Sequence, residues 1–280
     1  MFKAYDIRGI AGEELTPQFA CRLGKSIVAH LNARCIAVAR DIRESGPDLH
    51  DSFIEGVIVS GCDVMDLGIT TTGVLYRASK DLDVDVSVMI TASHNPPEYN
   101  GFKICKGTLP MAGEELQELR ETMERGDFLE GTGKLIDAQE FQRQYIETVI
   151  GNVGKPGRKI RVAIDCGNAV PGPLAITVLE RIGVDVVPVH CTWDNKFPNH
   201  PPDPTRKENM LDLSSAVLDE RCEFGIGMDG DGDRIGVVDE NGEFIHPDRL
   251  MALFVQDLLA DKESMGDDTR KVFYDVKCSM

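Results

Sequence analysis

At 280 residues, 42% of them hydrophobic, the chain is long enough for about two domains with genuine cores. Its formal net charge of −17 sets it apart from nucleic-acid binders, because phosphates repel such a surface unless one face is basic, and no basic run occurs. No apolar stretch approaches the roughly 20 residues that span a bilayer, and Met1–Asp6 has no signal core, so the expectation is a cytoplasmic protein without a membrane partner.

The first elements alternate. Cys35–Ala39 reads as a short strand, Leu49–Ser60 as a helix and Val64–Leu67 as a strand. A Thr70-Thr71-Thr72-Gly73 turn leads into a helix through Leu75. Val84–Ile90 is a strand, Phe102–Cys105 another, and Glu114–Arg125 a helix with Leu116, Leu119 and Met123 on one face. The polar, Gly-rich stretch Asp127–Asp137 marks a boundary. The pattern then restarts with helix Ala138–Ile150, strand Ile160–Ile164, helix Leu174–Ile182 and strand Val184–Val189. After the proline-rich loop Pro198–Pro204 come helix Leu211–Leu218 and strand Phe224–Gly227. Beyond Gly242, Pro247 starts a helix that continues through Leu250–Ala260, and Val272–Val276 reads as a strand. The prediction is α/β: tandem α/β domains with mixed, largely parallel sheets over 1–137 and 138–242, and an incomplete third domain over 243–280. Leu250, Leu253, Phe254, Leu258 and Leu259 are too apolar for an exposed helix, so that segment is expected to be mobile or to self-associate.

Two stretches carry chemistry. Thr91-Ala-Ser-His-Asn-Pro-Pro-Glu-Tyr-Asn-Gly-Phe-Lys103 follows a buried strand. Pro96-Pro97 stiffens the loop and restricts Asn95 to extended conformations. A serine on a rigid loop at a strand end is a usual α/β active-site layout, and His94 and Lys103 are its basic neighbours. An isolated Ser-His pair is more often loop capping than chemistry. The second stretch, Gly227-Met-Asp-Gly-Asp-Gly-Asp-Arg234, brings Asp229, Asp231 and Asp233 together on a flexible backbone. Like charges so close repel unless a cation lies between them, and hard oxygens favour Mg²⁺ or Ca²⁺. An exposed Asp/Gly turn is the bland alternative, but Ile226 before it and Ile235, Val237 and Val238 after it look like buried strands.

Two lookalikes fail. Gly225–Gly230 fits the dinucleotide G-x-G-x-x-G pattern, but aspartates and a strand follow where a helix must begin. Asp229, Asp231 and Asp233 fit EF-hand positions 1, 3 and 5, but Arg234 occupies the sixth, where glycine is required. The eight cysteines form no Cys-x-x-Cys pair and no Cys/His zinc spacing, and several lie in apolar runs as buried reduced thiols. An acidic protein that binds anions must concentrate its cations, which singles out Arg8, Arg40, Arg43, Lys103 and Arg234. For Arg40 and Arg43, an ion pair at a helix start competes evenly with ligand contact.

The thirteen-residue string resembles the catalytic-serine signature of the α-D-phosphohexomutases, most closely the phosphomannomutase/phosphoglucomutase branch, and the acidic loop resembles that family's Mg²⁺ loop. Tyr5-Asp-Ile-Arg-Gly9, Asp165-Cys-Gly-Asn168, Phe197-Pro-Asn-His200, Pro247-Asp-Arg-Leu250 and Asp275-Val-Lys-Cys-Ser279 also resemble family motifs. The resemblance implies an isomerase, an intramolecular phosphotransferase of carbohydrate metabolism that interconverts hexose 1-phosphate and 6-phosphate of mannose or glucose. It passes a phosphoryl group through Ser93 and a bisphosphorylated sugar. Asp229, Asp231, Asp233 and the phosphate on Ser93 would hold one Mg²⁺. Arg8 and His94 would lie at the phosphoserine and Lys103 would act as general base, which requires a depressed amine pKa. Arg234, Lys277 and Arg43 would bind substrate. Glucose 1,6-bisphosphate or a similar compound would be the activator, and the complete enzyme would be a monomer. A phosphoglucosamine mutase and a non-catalytic remnant binding Mg²⁺ and phosphosugar weakly are the alternatives. Three carboxylates, a phosphoserine of about −2 and Mg²⁺ sum to about −3, so the local cations are necessary. Ala169 and Gly73 depart from the family pattern, and family members continue through the rest of a third domain and a fourth.

Overall fold

The computed structural model describes residues 1–264 and 271–272. The first unit runs β1 (Ile7–Ile10), α1 (Pro17–Leu31), β2 (Cys35–Arg40), α2 (Gly46–Ile58), β3 (Asp63–Ile69), α3 (Thr72–Asp81), β4 (Val86–Ile90), β5 (Tyr99–Lys106), β6 (Leu109–Pro110), α4 (Glu114–Arg125) and β7 (Leu135–Asp137). Its strands form one sheet in the order β1-β5-β4-β2-β3-β7, with β6 beside β5. The β4-β2-β3-β7 block is parallel and β1, β5 and β6 pair antiparallel, so the sheet is mixed. Ile36 and Val38 face a core shared with α1, α2 and α4, whereas Ala37 and Ala39 face α3. That two-sided burial explains the continuous apolar run of β2.

The second unit contains α5 (Phe141–Val153), β8 (Arg161–Asp165), α6 (Pro171–Arg181), β9 (Asp185–Val189), α7 (Leu211–Asp219), β10 (Phe224–Met228), β11 (Ile235–Val238) and β12 (Phe244–Ile245). Its sheet has the order β12-β11-β10-β8-β9, parallel across β10-β8-β9 and antiparallel beyond β10. Helix α7 packs on one face through Leu213 and Val217; Ala175 of α6 and Ile182, which caps it, pack on the other. Helix α8 (Pro247–Ser264) buries Leu250 but leaves Met251, Leu253, Phe254 and Leu258 exposed.

Several sequence expectations change. Strand β1 and helix α1 were not anticipated, although Thr16-Pro17 is a start signal: Thr16 Oγ1 accepts the Phe19 N–H at 3.2 Å, and Pro17 fills the first turn. The stretch Asp127–Asp137 is not wholly a linker, because β7 joins the edge of the first sheet. Its three residues are exposed, which is why composition gave no strand signal. Phe141 of α5 packs with Val74, Leu75 and Met89, so α5 starts in the first unit's core. Lys277 and the expected strand beyond Val272 lie outside the described residues.

Candidate active site

The loop joining β4 to β5 is held from inside by Arg43. Its guanidinium has no solvent exposure, and all five of its donors are taken. Nε donates to Asp41 Oδ2 at 3.1 Å, one terminal nitrogen to the carbonyls of Pro96 and Tyr99 at 2.7 and 2.9 Å, and the other to those of Ser93 and Asn95, both at 2.8 Å. Thr91 Oγ1 donates to the same Asp41 oxygen at 2.7 Å and accepts the Ser93 N–H at 2.8 Å. This network holds Ser93 at φ +53°, a left-handed conformation uncommon for serine. Arg43 is therefore corrected from a ligand contact to a scaffold: no donor remains for a substrate. The alternative expectation, an ion pair at a helix start, describes Asp41 and Arg43, which precede α2.

Opposite Ser93 lies the six-residue turn from Asp229 to Arg234 between β10 and β11, whose last paired residues are Met228 and Ile235. Asp229 Oδ1 accepts the backbone N–H groups of Asp233 and Arg234, both at 3.0 Å, which curls the turn inward. Gly232 sits at φ +74° to close it. At Gly230 an added Cβ would lie 2.1 Å from the Ser93 carbonyl oxygen, so only glycine lets the two loops meet. They do meet: Ser93 Oγ donates to Asp229 Oδ2 at 2.5 Å. Asp231 docks on the start of α3, where its Oδ2 accepts from Thr72 Oγ1 at 2.5 Å and its carbonyl from the Thr72 N–H at 3.0 Å.

Asp229 and Asp231 are fully buried, and the three carboxylates offer ligand oxygens within 4.8 Å of one another. Asp231 Oδ1 is buried with no hydrogen-bond partner among the described residues, and a buried oxygen without a donor costs about 1–3 kcal/mol. Burial, then the charges of Asp231 and Asp233, pushes the Asp229 carboxyl up to about 7. These are the marks of a group that can hold a hard cation, so the residues fit a magnesium-type ion.

Lys103 is the main charge compensator. Its Nζ lies 2.6 Å from both Asp231 Oδ2 and Asp233 Oδ2. Burial opposes its charge, but the two carboxylates prevail and hold the amine well above its ordinary value. A lysine base would need the opposite shift, with those two carboxylates drawn away from its Nζ. His94 differs. Its Nδ1 lies 3.2 Å from Ser93 Oγ and 3.0 Å from an Arg234 guanidinium nitrogen, which can only donate. Nδ1 is therefore unprotonated, and burial followed by the Arg234 charge holds His94 below its usual range. Arg8, on β1, donates to Asn95 Oδ1 and to Asp6 Oδ2, both at 2.5 Å. Its charge also reaches His94.

The structure thus brings Ser93, His94, Lys103, Arg234 and the three aspartates into one cluster, with Arg8 bonded to its edge. Asp41, Thr91 and Thr72 have supporting roles here that the sequence does not assign to them. Their signal was positional only, because each lies just beyond a strand end or at the start of α3.

Comparison with known proteins completes this geometry. Residues 1–130 match phosphoglucomutase/phosphomannomutase, alpha/beta/alpha domain I, and residues 143–242 match domain II of the same family. The chain is 41% identical over 282 residues to a phosphomannomutase/phosphoglucomutase of Pseudomonas aeruginosa, and 40% over 281 residues to a phosphoglucomutase of Neisseria gonorrhoeae. These alignments take in 100% and 99% of this chain but 59% and 60% of those proteins. A phosphoglucomutase/phosphomannomutase family structure from Burkholderia thailandensis superposes with a TM-score of 0.89 at 36% identity, covering 93% of this chain and 59% of that one. The architecture is that of the phosphoglucomutase/phosphomannomutase structures. The chain belongs to the phosphoglucomutase/phosphomannomutase family and carries its first two domains, about three fifths of the length of the relatives it matches.

Proposed function

We propose that this chain carries the phosphoryl-transfer half of a hexomutase that interconverts hexose 1-phosphate and 6-phosphate, of mannose or glucose. The single observation that carries this reading is Ser93 Oγ, buried and left-handed, held 2.5 Å from one oxygen of a carboxylate triad. Phosphorylated Ser93 donates its phosphoryl group to a hydroxyl of a hexose phosphate. The resulting bisphosphate turns over and returns its other phosphate to Ser93. Phosphoryl transfer depends chiefly on positioning and on stabilising charge at the transferring oxygens.

The residues divide that work. Asp229, Asp231 and Asp233 would hold Mg²⁺, which supplies positive charge to the transferring phosphoryl oxygens when bound. Lys103, as an ammonium, offsets the carboxylates and keeps the acidic turn against Ser93. Arg8 and Arg234 supply further positive charge at the rim. His94 lies beside the serine, and its unprotonated Nδ1 accepts from Arg234, so it helps to hold that guanidinium at the site. Arg43, Asp41 and Thr91 keep the serine at its angle without touching the sugar.

Intact mass spectrometry after incubation with Mg²⁺ and glucose 1,6-bisphosphate tests the reading. One phosphate is expected on the protein and none on Ser93→Ala. Parallel coupled assays with mannose, glucose and glucosamine 1-phosphates assign the sugar. Phosphate incorporated equally into Ser93→Ala would refute the assignment of the carrier.

A further inference from the structure

A second group of ligating side chains lies at the same end of the second sheet, outside the acidic turn. Asp165 ends β8, His190 follows β9, and His200 stands in the proline-rich loop before α7. Their ligand atoms lie within 4.8 Å of one another. Asp165 is buried, while His190 and His200 are partly open to solvent. Strand ends of this kind are where α/β sheets bind ligands. We propose that Asp165, His190 and His200 form a binding site for a borderline divalent transition ion, Zn²⁺ foremost, separate from the carboxylate triad.

The hydrogen bonds around the three residues carry the argument. His200 Nδ1 faces the Pro201 carbonyl at 2.9 Å, an acceptor only, so it bears the hydrogen. Its Nε2 points at the Asp165 Oδ2 carboxylate oxygen from 3.0 Å and so also carries a hydrogen in the metal-free protein; a bound ion would displace that proton and take Nε2 as its ligand. His190 Nε2 faces the Asp212 carboxylate at 2.8 Å, which leaves its Nδ1 as the lone-pair atom. Asp165 Oδ1 is fixed by the Gly167 N–H at 2.8 Å. Each ligand is thus oriented by an outer partner, a carbonyl, a carboxylate and an amide, as in built zinc sites. With Zn–N and Zn–O bonds near 2.0–2.1 Å, tetrahedral ligand atoms stand about 3.3 Å apart, so side chains now within 4.8 Å of one another would draw together to that spacing around the ion.

Two imidazoles and one carboxylate suit zinc and leave a fourth position for water, whereas an all-carboxylate triad suits magnesium. The two sites therefore sort ions by ligand type. An open cavity of about 750 Å³, lined by Asn168, Pro173, Pro188, His190 and Trp193, provides a path to His190. Bound metal would fasten the proline-rich loop to β8 and β9. That loop also packs behind the acidic turn, where Pro202 lies 3.4 Å from the Cβ position of Gly230.

Calorimetric titration of chelator-stripped protein with zinc chloride, in saturating Mg²⁺, tests the site. One zinc equivalent is expected, retained in Asp231→Asn. His190→Ala is expected to weaken binding at least about tenfold, and Asp212→Asn, through the orienting contact, by about 10–100-fold. His190 is partly exposed, so its variant keeps the test valid even where His200→Asn fails to fold; circular dichroism checks each. Zinc bound equally by wild type and His190→Ala, zinc lost in Asp231→Asn, or no zinc bound under Mg²⁺ would each overturn the proposal. In the last case the His200–Asp165 contact is an ion pair alone. None of these outcomes depends on the mutase reading.

Discussion

Replacing Arg43 with methionine keeps the volume of the side chain and removes every one of its donors. Asp41 then remains buried without its cation, and four carbonyls lose their partner. Breaking a buried ion pair from one side costs about 3–5 kcal/mol. The carbonyls add to this, each at about 1 kcal/mol where water cannot replace the donor. Phe197, whose ring centroid lies 5.4 Å from the guanidinium carbon, loses its cation as well. Set against a total stability of about 5–15 kcal/mol, the substitution removes a large share. With a urea dependence of about 1–3 kcal/mol/M, the midpoint of unfolding is expected to fall by at least about 1 M. Arg43→Lys keeps the charge but offers three donors to five acceptors, so it should lie between. Circular dichroism in urea reads both variants, and Asp41→Asn combined with Arg43→Met should cost less than the single losses summed. A midpoint for Arg43→Met within about 0.3 M of wild type would refute the reasoning, because the clamp would then contribute nothing to the fold.

Two further outcomes follow from particular contacts. Gly230→Ala places a Cβ 2.1 Å from the Ser93 carbonyl oxygen; the acidic turn must retreat, and the rate of Ser93 phosphorylation should drop by about tenfold or more, equivalent to about 1.4 kcal/mol, with the circular dichroism spectrum unchanged. A rate within about twofold of wild type would mean that the two loops do not work as one site. His50 supplies a pH signature: burial opposes its charge, but Asp66, 2.9 Å from Nε2, prevails and raises it above the ordinary 6.5. A raised histidine contributes stability that is full below 6.5 and is lost as pH rises through the folded value. The melting-temperature difference between wild type and His50→Gln should therefore be larger at pH 6 than at pH 9; a difference that does not change with pH would remove the ion pair from the account.

Local chemistry alone determined a good deal of this protein. Continuous apolar runs located most strands, because they are buried on both faces, and apolar residues sharing one face located helices such as α4. The serine string and the Asp-Gly-Asp-Gly-Asp turn were legible because each is contiguous: the chain itself keeps their functional groups close. Elements without a burial signature were not legible. Strand β7 is exposed throughout and gains its identity only from hydrogen bonds to β3. Residue roles that depend on a partner distant in sequence were also hidden. Arg43 looked like a free cation until the fold wrapped a carbonyl-lined loop around it. Lys103 showed no ion-pair partner in the sequence, yet Asp231 and Asp233, from the other domain, lie within 2.6 Å of its Nζ. Asp165, His190 and His200 share no motif and meet only where β8, β9 and a proline-rich loop converge. A sequence records which groups are available, but protonation, coordination and burial are set by neighbours, and only the tertiary structure chooses the neighbours.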